Sequence, residues 1–189
     1  MSLERTFSAT TYQAVFGKVI RGLEGRQIPY MVVGGLAAAY YGIPRATFDI
    51  DLVVAVEPSN LRVLVGMLRR EGFDVTHADA ALLLKVGNII QTTTARGLRL
   101  DLWLIKSEYD RMAFGRRQRA SLWGRRKVWM VAPEDLVLSK LIAGRAKDFE
   151  DVIGVLAEQR DRLETTYMNA WARRLGLTNR LARVRAKRV

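Results

Sequence analysis

The chain has 189 residues, 49% of them apolar, and no cysteine, which fits one globular domain and excludes disulfides, thiolate metal sites and cysteine nucleophiles. The net charge of +12 is uneven: residues 1–105 carry 11 Lys/Arg against 9 Asp/Glu, and residues 106–189 carry 20 against 10. A basic half points to a polyanionic partner, nucleic acid first, although a codon bias toward arginine produces the same surplus.

The opening MSLERTFSATTY has no apolar signal region, and the run Met31–Ala39 is short and broken by two glycines. We therefore expect no membrane segment and a cytoplasmic protein. Val15, Phe16, Val19, Ile20 and Leu23 predict a helix over 11–26, ended before Pro29. Tyr30 to Val33 predicts a short strand, 36–41 a helix, and 47–56 an apolar strand interrupted by Asp49 and Asp51. A helix near Pro58 carries the stripe Leu61, Leu64, Val65 and Leu68 and ends around Glu71-Gly72. Residues 81–94 read as one or two strands with a turn at Gly87-Asn88, 98–105 as an alternating strand, and 107–113 as a short helix.

RASLWGRRKVWMV reads as a hairpin around Gly124-Arg125. Pro133-Glu134-Asp135 opens a helix, and two more follow around Phe149–Leu156 and Leu163–Trp171. The last ten residues carry five cations and no acid, which predicts a solvated tail. The organisation expected is an α/β core over 1–132, a helical part packed on it over 133–179, and a basic tail over 180–189.

Residues i and i+2 of a strand share a face, so Asp49 and Asp51 lie side by side while Ile50, Leu52 and Val54 face a core. On the later strand Leu98, Leu100, Leu102 and Leu104 share one face, and Arg99, Asp101 and Trp103 the other. If the two strands are neighbours, three carboxylates converge. Like charges at close range destabilise a fold unless a cation neutralises them. An all-oxygen set without histidine or cysteine suits Mg²⁺ or Mn²⁺, and such ions bridge nucleotide phosphates. The same D-x-D is also what the exposed edge of an amphipathic strand looks like. Gly34-Gly35, between a strand and a helix, sharpens the reading, because a tight turn there aims backbone N–H groups at an anion.

This order of glycine turn, short helix, Asp49-x-Asp51 and later Asp101 resembles the nucleotidyltransferase fold of the DNA polymerase β superfamily. GIPRATFDIDL and PEDLVLSKLIAGRAKDFEDV look most like the AbiEii/AbiGii-type nucleotidyltransferase toxins, over roughly residues 12–175. The resemblance implies a mixed sheet flanked by helices, with a C-terminal helical annex. It implies that Asp49 and Asp51 ligate two Mg²⁺ ions holding an NTP, and that Asp101 completes the metal site and activates an acceptor hydroxyl. Gly34 and Gly35 match the triphosphate turn. Lys140, Arg145 and Lys147 match residues expected on phosphates, with Asp148 orienting them. Many such enzymes have Gly-Ser where this chain has Gly-Gly, so a serine hydroxyl is missing.

Arg45 and Thr47, leading into Asp49, are further phosphate candidates. Lys140, Gly144, Lys147 and Asp151 also fit an ordinary solvated helix face. His77, the single histidine, has no metal-binding companion and reads as a loop residue. Arg116, Arg117, Arg119, Arg125, Arg126 and Lys127 flank Trp123 and Trp129, a pattern that serves RNA or merely decorates a hairpin. The function expected is metal-dependent transfer of an NMP from an NTP to a hydroxyl, with RNA (the tRNA 3′ end) as acceptor, in a toxin-like role with an antitoxin partner. Two rivals are a small-molecule or protein acceptor, and a nucleotide- or RNA-binding module without turnover.

Overall fold

The structure, a computed structural model, describes residues 8–124 and 126–187. Helix α1 (Ala9–Glu24) starts where the Ser8 hydroxyl accepts the Thr11 N–H, and its apolar stripe buries Phe16, Val19, Ile20 and Leu23. Strand β1 (Tyr30–Val32) follows Pro29, and α2 (Gly34–Tyr41) begins at the glycines themselves rather than after them. Strand β2 is shorter than the apolar run suggests, Ile50–Val54, so Thr47, Phe48 and Asp49 precede it. A single turn over 58–60 leads into α3 (Leu61–Arg70), which buries Leu61, Leu64, Val65, Met67 and Leu68.

The expected strand pair over 81–94 is instead a helix and a strand. Helix α4 (His77–Gly87) is opened by a reciprocal cap between Thr76 and Asp79 and closed by Asn88 in the left-handed region. His77 therefore sits in a helix's first turn and not in a loop. Only Ala80 of α4 is buried; Leu82 and Val86 face water, which is why its apolar residues show no inward stripe. Strand β3 (Ile89–Thr93), β4 (Arg99–Leu104) and α5 (Glu108–Gly115, capped by Ser107) come next.

Strands β5 (Gln118–Leu122) and β6 (Arg126–Met130) form the expected hairpin, with Trp123 and Gly124 both at positive φ in its turn. Helix α6 (Pro133–Ala143) stops at left-handed Gly144, and α7 (Ala146–Gln159) and α8 (Thr165–Arg174) follow. The acids of the first α6 turn are buried rather than solvated: Arg116 ion-pairs with both Glu134 and Asp135, and the Tyr167 hydroxyl donates to Asp135 at 2.6 Å. The tail expectation fails. Residues Thr178–Ala186 form α9, which buries Leu181 and Val184, while Arg180 donates to the Leu141 carbonyl. Helix spacing of two apolar residues outweighs the surrounding cations, of which Arg183 and Lys187 are exposed while Arg185 donates to Asn169.

The six strands make one mixed sheet in the order β3-β4-β2-β1-β6-β5. Strands β2 and β4 are parallel neighbours, β1 runs antiparallel to β2, and β3 runs antiparallel to β4. Ile50, Leu52, Val54, Leu100 and Leu102 point into one continuous core. The opposite face of the same two strands is left to carry the site. Helices α6 and α7 pack on each other and on α2. No described helix is long and apolar enough to cross a membrane.

Candidate active site

The parallel register sets Asp51 directly opposite Asp101, with Gln91 of β3 as the next residue across. The face is not open at Asp101, which is only 5% exposed. Arg99 lies two residues back on the same face and clamps it with two hydrogen bonds, Nε to Oδ1 at 2.9 Å and Nη2 to Oδ2 at 2.6 Å. The Gln91 amide approaches the same carboxylate at 3.4 Å. Burial pushes the Asp51 carboxyl above the usual carboxylate range and Asp101 and Asp49 push it further, while the Gly35 N–H and Lys140 oppose the shift. Asp49 is exposed at the entry to β2, where its carbonyl accepts the Tyr12 hydroxyl at 3.2 Å. That phenol is held far above its ordinary range by burial, then by Asp51 and Asp49.

Among the described residues no three metal-ligating side chains stand close enough to hold an ion. The chemistry of the donor set nevertheless fits a hard divalent cation. Asp49, Asp51 and Asp101 all line one cavity, offer only oxygen, and carry mutually unfavourable charge on Asp51. Arg99 supplies the positive charge that Asp101 takes in this geometry.

Gly34 has φ +66, and a Cβ there would overlap the Asp51 carboxylate. No residue with a side chain meets both demands. Gly34→Ala is expected to destabilise the fold by about 2 kcal/mol, from the left-handed backbone and the clash together, and to lower activity with it. Urea unfolding measures the first; an unchanged midpoint would show that this turn tolerates a side chain. The Gly35 N–H reaches Asp51 Oδ2 at 3.4 Å, a long contact. A Cβ on Gly35 would come within 2.7 Å of the Thr47 hydroxyl oxygen. Thr47 thus fills the space a serine at 35 would need, and it places a hydroxyl beside the glycine turn.

The basic residues form one network across two helices. Lys140 lies in the last turn of α6 and is 7% exposed; its ammonium meets Asp148 at 3.0 Å and Asp151 at 2.7 Å, both on α7. Arg45 makes a two-bond pair with Asp151, and Arg145, the residue that precedes α7, binds Asp148 in that helix's first turn. Burial works against both acids, yet their cationic partners hold both carboxyls below the ordinary range. Lys140, Gly144, Lys147 and Asp151 therefore do not share one solvated helix face, because Gly144 at φ +67 turns the chain between two helices. Asp151 was the partner hidden in the sequence. Arg45, Thr47, Lys140, Arg145 and Lys147 line the same cavity of about 950 Å³ as the carboxylates and glycines, whereas Asp148 sits fully buried behind Lys140.

None of the described hairpin arginines lines this cavity. Arg116 is spent on Glu134, Asp135 and Glu164. Arg117 and Arg119 both stack on Trp129, and Trp123 packs edge-on against Phe16 and Tyr12. Arg125 falls outside the described residues.

The site thus sets a glycine turn beside an aspartate pair on neighbouring parallel strands. The family described as "Nucleotidyltransferase of unknown function (DUF6036)" matches residues 18–172. The chain belongs to that family. No curated protein matches this nucleotidyltransferase in sequence. Its fold is similar to the solution structure of the antibiotic-resistance factor ANT(2″)-Ia, with a TM-score of 0.65 at 14% identity over 93% of this chain and 99% of that one. The crystal structure of ANT(2″)-Ia in complex with adenylyl-2″-tobramycin gives 0.58 at 13% identity, over 88% and 99%. An antigenic nucleotidyltransferase-like protein from Paracoccidioides brasiliensis gives 0.50 at 19% identity, over 92% and 93%. The mixed sheet flanked by helices expected from sequence is thus a nucleotidyltransferase fold. The narrower AbiEii/AbiGii likeness rests on the sequence motifs alone.

Proposed function

We propose that this nucleotidyltransferase moves an NMP from an NTP to a hydroxyl of RNA, the tRNA 3′ end first, and releases pyrophosphate in a toxin-like role restrained by an antitoxin protein. The observation that carries the reading is the register: Asp51 stands opposite Asp101 beside the Gly34 turn, inside a cavity rimmed by Arg45, Arg99, Arg145 and Lys147. Gly35 N–H and the Thr47 hydroxyl are donors for a phosphate oxygen. Arg45 and Arg145, each oriented by a buried acid, supply charge for the triphosphate with little reorganisation. Lys147 adds a further cation at the rim. Asp101 is the residue that accepts the acceptor's proton, once Arg99 turns from its carboxylate to a phosphate.

Asp49, Asp51 and Asp101 are the residues that would hold Mg²⁺ or Mn²⁺, which would neutralise phosphate charge and acidify the acceptor hydroxyl. A module without turnover gives no reason to bury Asp51 beside two other acids, an environment that raises its pKa. The cationic rim favours a polyanionic acceptor over a cationic drug. The complex of ANT(2″)-Ia with adenylyl-2″-tobramycin makes an aminoglycoside the control acceptor of choice. Each α-labelled NTP, with Mg²⁺, is offered to total tRNA, to tobramycin and to the protein itself, beside Asp49→Asn/Asp51→Asn. Label in tRNA that requires the aspartates supports the reading. Label in tobramycin or protein moves the acceptor, and no label in any arm leaves a binding module.

A further inference from the structure

Arg99, Asp101 and Trp103 share the site face of β4, and the first two hold each other. Trp103 pairs across the ladder with Val53 and lines the cavity, yet it is 44% exposed, while Leu100 and Leu102 on the opposite face are fully buried. A tryptophan left half in water inside a charged cleft forgoes the burial that ordinarily places it in a core. Its position gives the surface a use. Gly34, Thr47, Asp49 and Arg99 all lie toward the N-terminal ends of the parallel strands β2 and β4, and Trp103 lies past Asp101 toward the C-terminal ends.

An in-line displacement at phosphorus needs the attacking hydroxyl opposite the leaving pyrophosphate. If the phosphate donors hold pyrophosphate on the glycine side, the acceptor enters across Asp101, over Trp103. Lys106 is exposed three residues on and lines the same cavity. An open indole face with a lysine beside it is the combination that takes a stacked base and its neighbouring backbone phosphate.

We propose that Trp103 is the platform on which the terminal base of a single-stranded RNA acceptor stacks, with Lys106 on the adjoining phosphate. This rests on the RNA reading above and deepens it. The probe is a short single-stranded RNA ending in CCA, followed by intrinsic fluorescence and by titration, with ATP as the comparison ligand. The RNA is expected to quench the wild-type protein, and that quench is expected to vanish in Trp103→Phe, which keeps a ring but no indole. Trp103→Ala is expected to weaken RNA binding roughly 5- to 150-fold, the range for one stacked base, and to leave ATP affinity unchanged. Trp103→Phe keeps most of the affinity. Lys106→Gln lowers the salt slope of RNA binding by about 0.7.

The platform is overturned if Trp103→Ala binds and labels RNA at wild-type KM, a result that leaves the RNA reading standing. It is also overturned if ATP affinity falls instead, which would make Trp103 the donor-base platform. A wild-type protein that neither binds nor labels RNA overturns both.

Discussion

Asp51→Asn is expected to reduce NMP transfer by at least about 10²–10³-fold, the loss seen when one preorganised hydrogen-bond donor at a reacting centre is removed, without unfolding the protein. The second half separates a catalytic carboxylate from a structural one. Burial, Asp101 and Asp49 all raise the Asp51 carboxyl above its ordinary value, so its ionised form is a destabilising feature of the metal-free fold. An acid with a raised folded pKa imposes that penalty above the folded value and is relieved of it as pH falls toward the unfolded one. Asn keeps the carbonyl oxygen that can accept the Gly35 N–H at 3.4 Å and discards the charge.

With metal chelated, the variant should therefore match or exceed wild type in urea midpoint at pH 7, and its advantage should shrink toward pH 4. Turnover near wild type would remove Asp51 from the reaction. A variant clearly less stable at pH 7 would mean that Arg99 and Lys140 already compensate the charge.

The face on which Asp51 and Asp101 lie was legible in the sequence, because a strand has a strict period of two and the leucines at 98, 100 and 102 mark the inward side; Asp49 precedes β2, so that period does not place it. The same alternation put Arg99 and Trp103 beside Asp101, though not the clamp that Arg99 forms there. The register pairing Asp51 with Asp101 was not legible, since two apolar strands can pair in several offsets and either order. Residues 81–87 misled because Leu82 and Val86 face water and leave no stripe; Thr76 and Asp79, spaced as a reciprocal cap, were the signal available. In α9 the five cations of the last ten residues masked Leu181 and Val184, which need only i, i+3 spacing to dock a helix. The Lys140 network was hidden for a different reason: Gly144 looks like an interior helix glycine until its positive φ splits α6 from α7 and folds Asp148 and Asp151 back onto the lysine.

That fold-back makes Lys140→Met the informative partner to Asp51→Asn. The ammonium bridges two acids whose side chains are 0% and 7% exposed, so removing it leaves two buried carboxylates short of a cation. Breaking a buried pair costs about 3–5 kcal/mol, and Arg145 and Arg45, which stay in place, pull the expectation to the lower end, about 3 kcal/mol at pH 7. Both acids have folded pKa values lowered from 3.8, so their stabilisation is fully present above that value and is lost as pH falls through the folded values. The gap between wild type and variant should then be widest near neutral pH and close below about pH 4, read from urea unfolding at the two pH values. A variant with an unchanged midpoint but a raised NTP KM would instead make Lys140 a phosphate ligand that leaves its acids when substrate binds. A lost midpoint with KM nearly unchanged makes it the staple that holds Arg45 and Arg145 at the rim, and leaves triphosphate recognition to those two arginines.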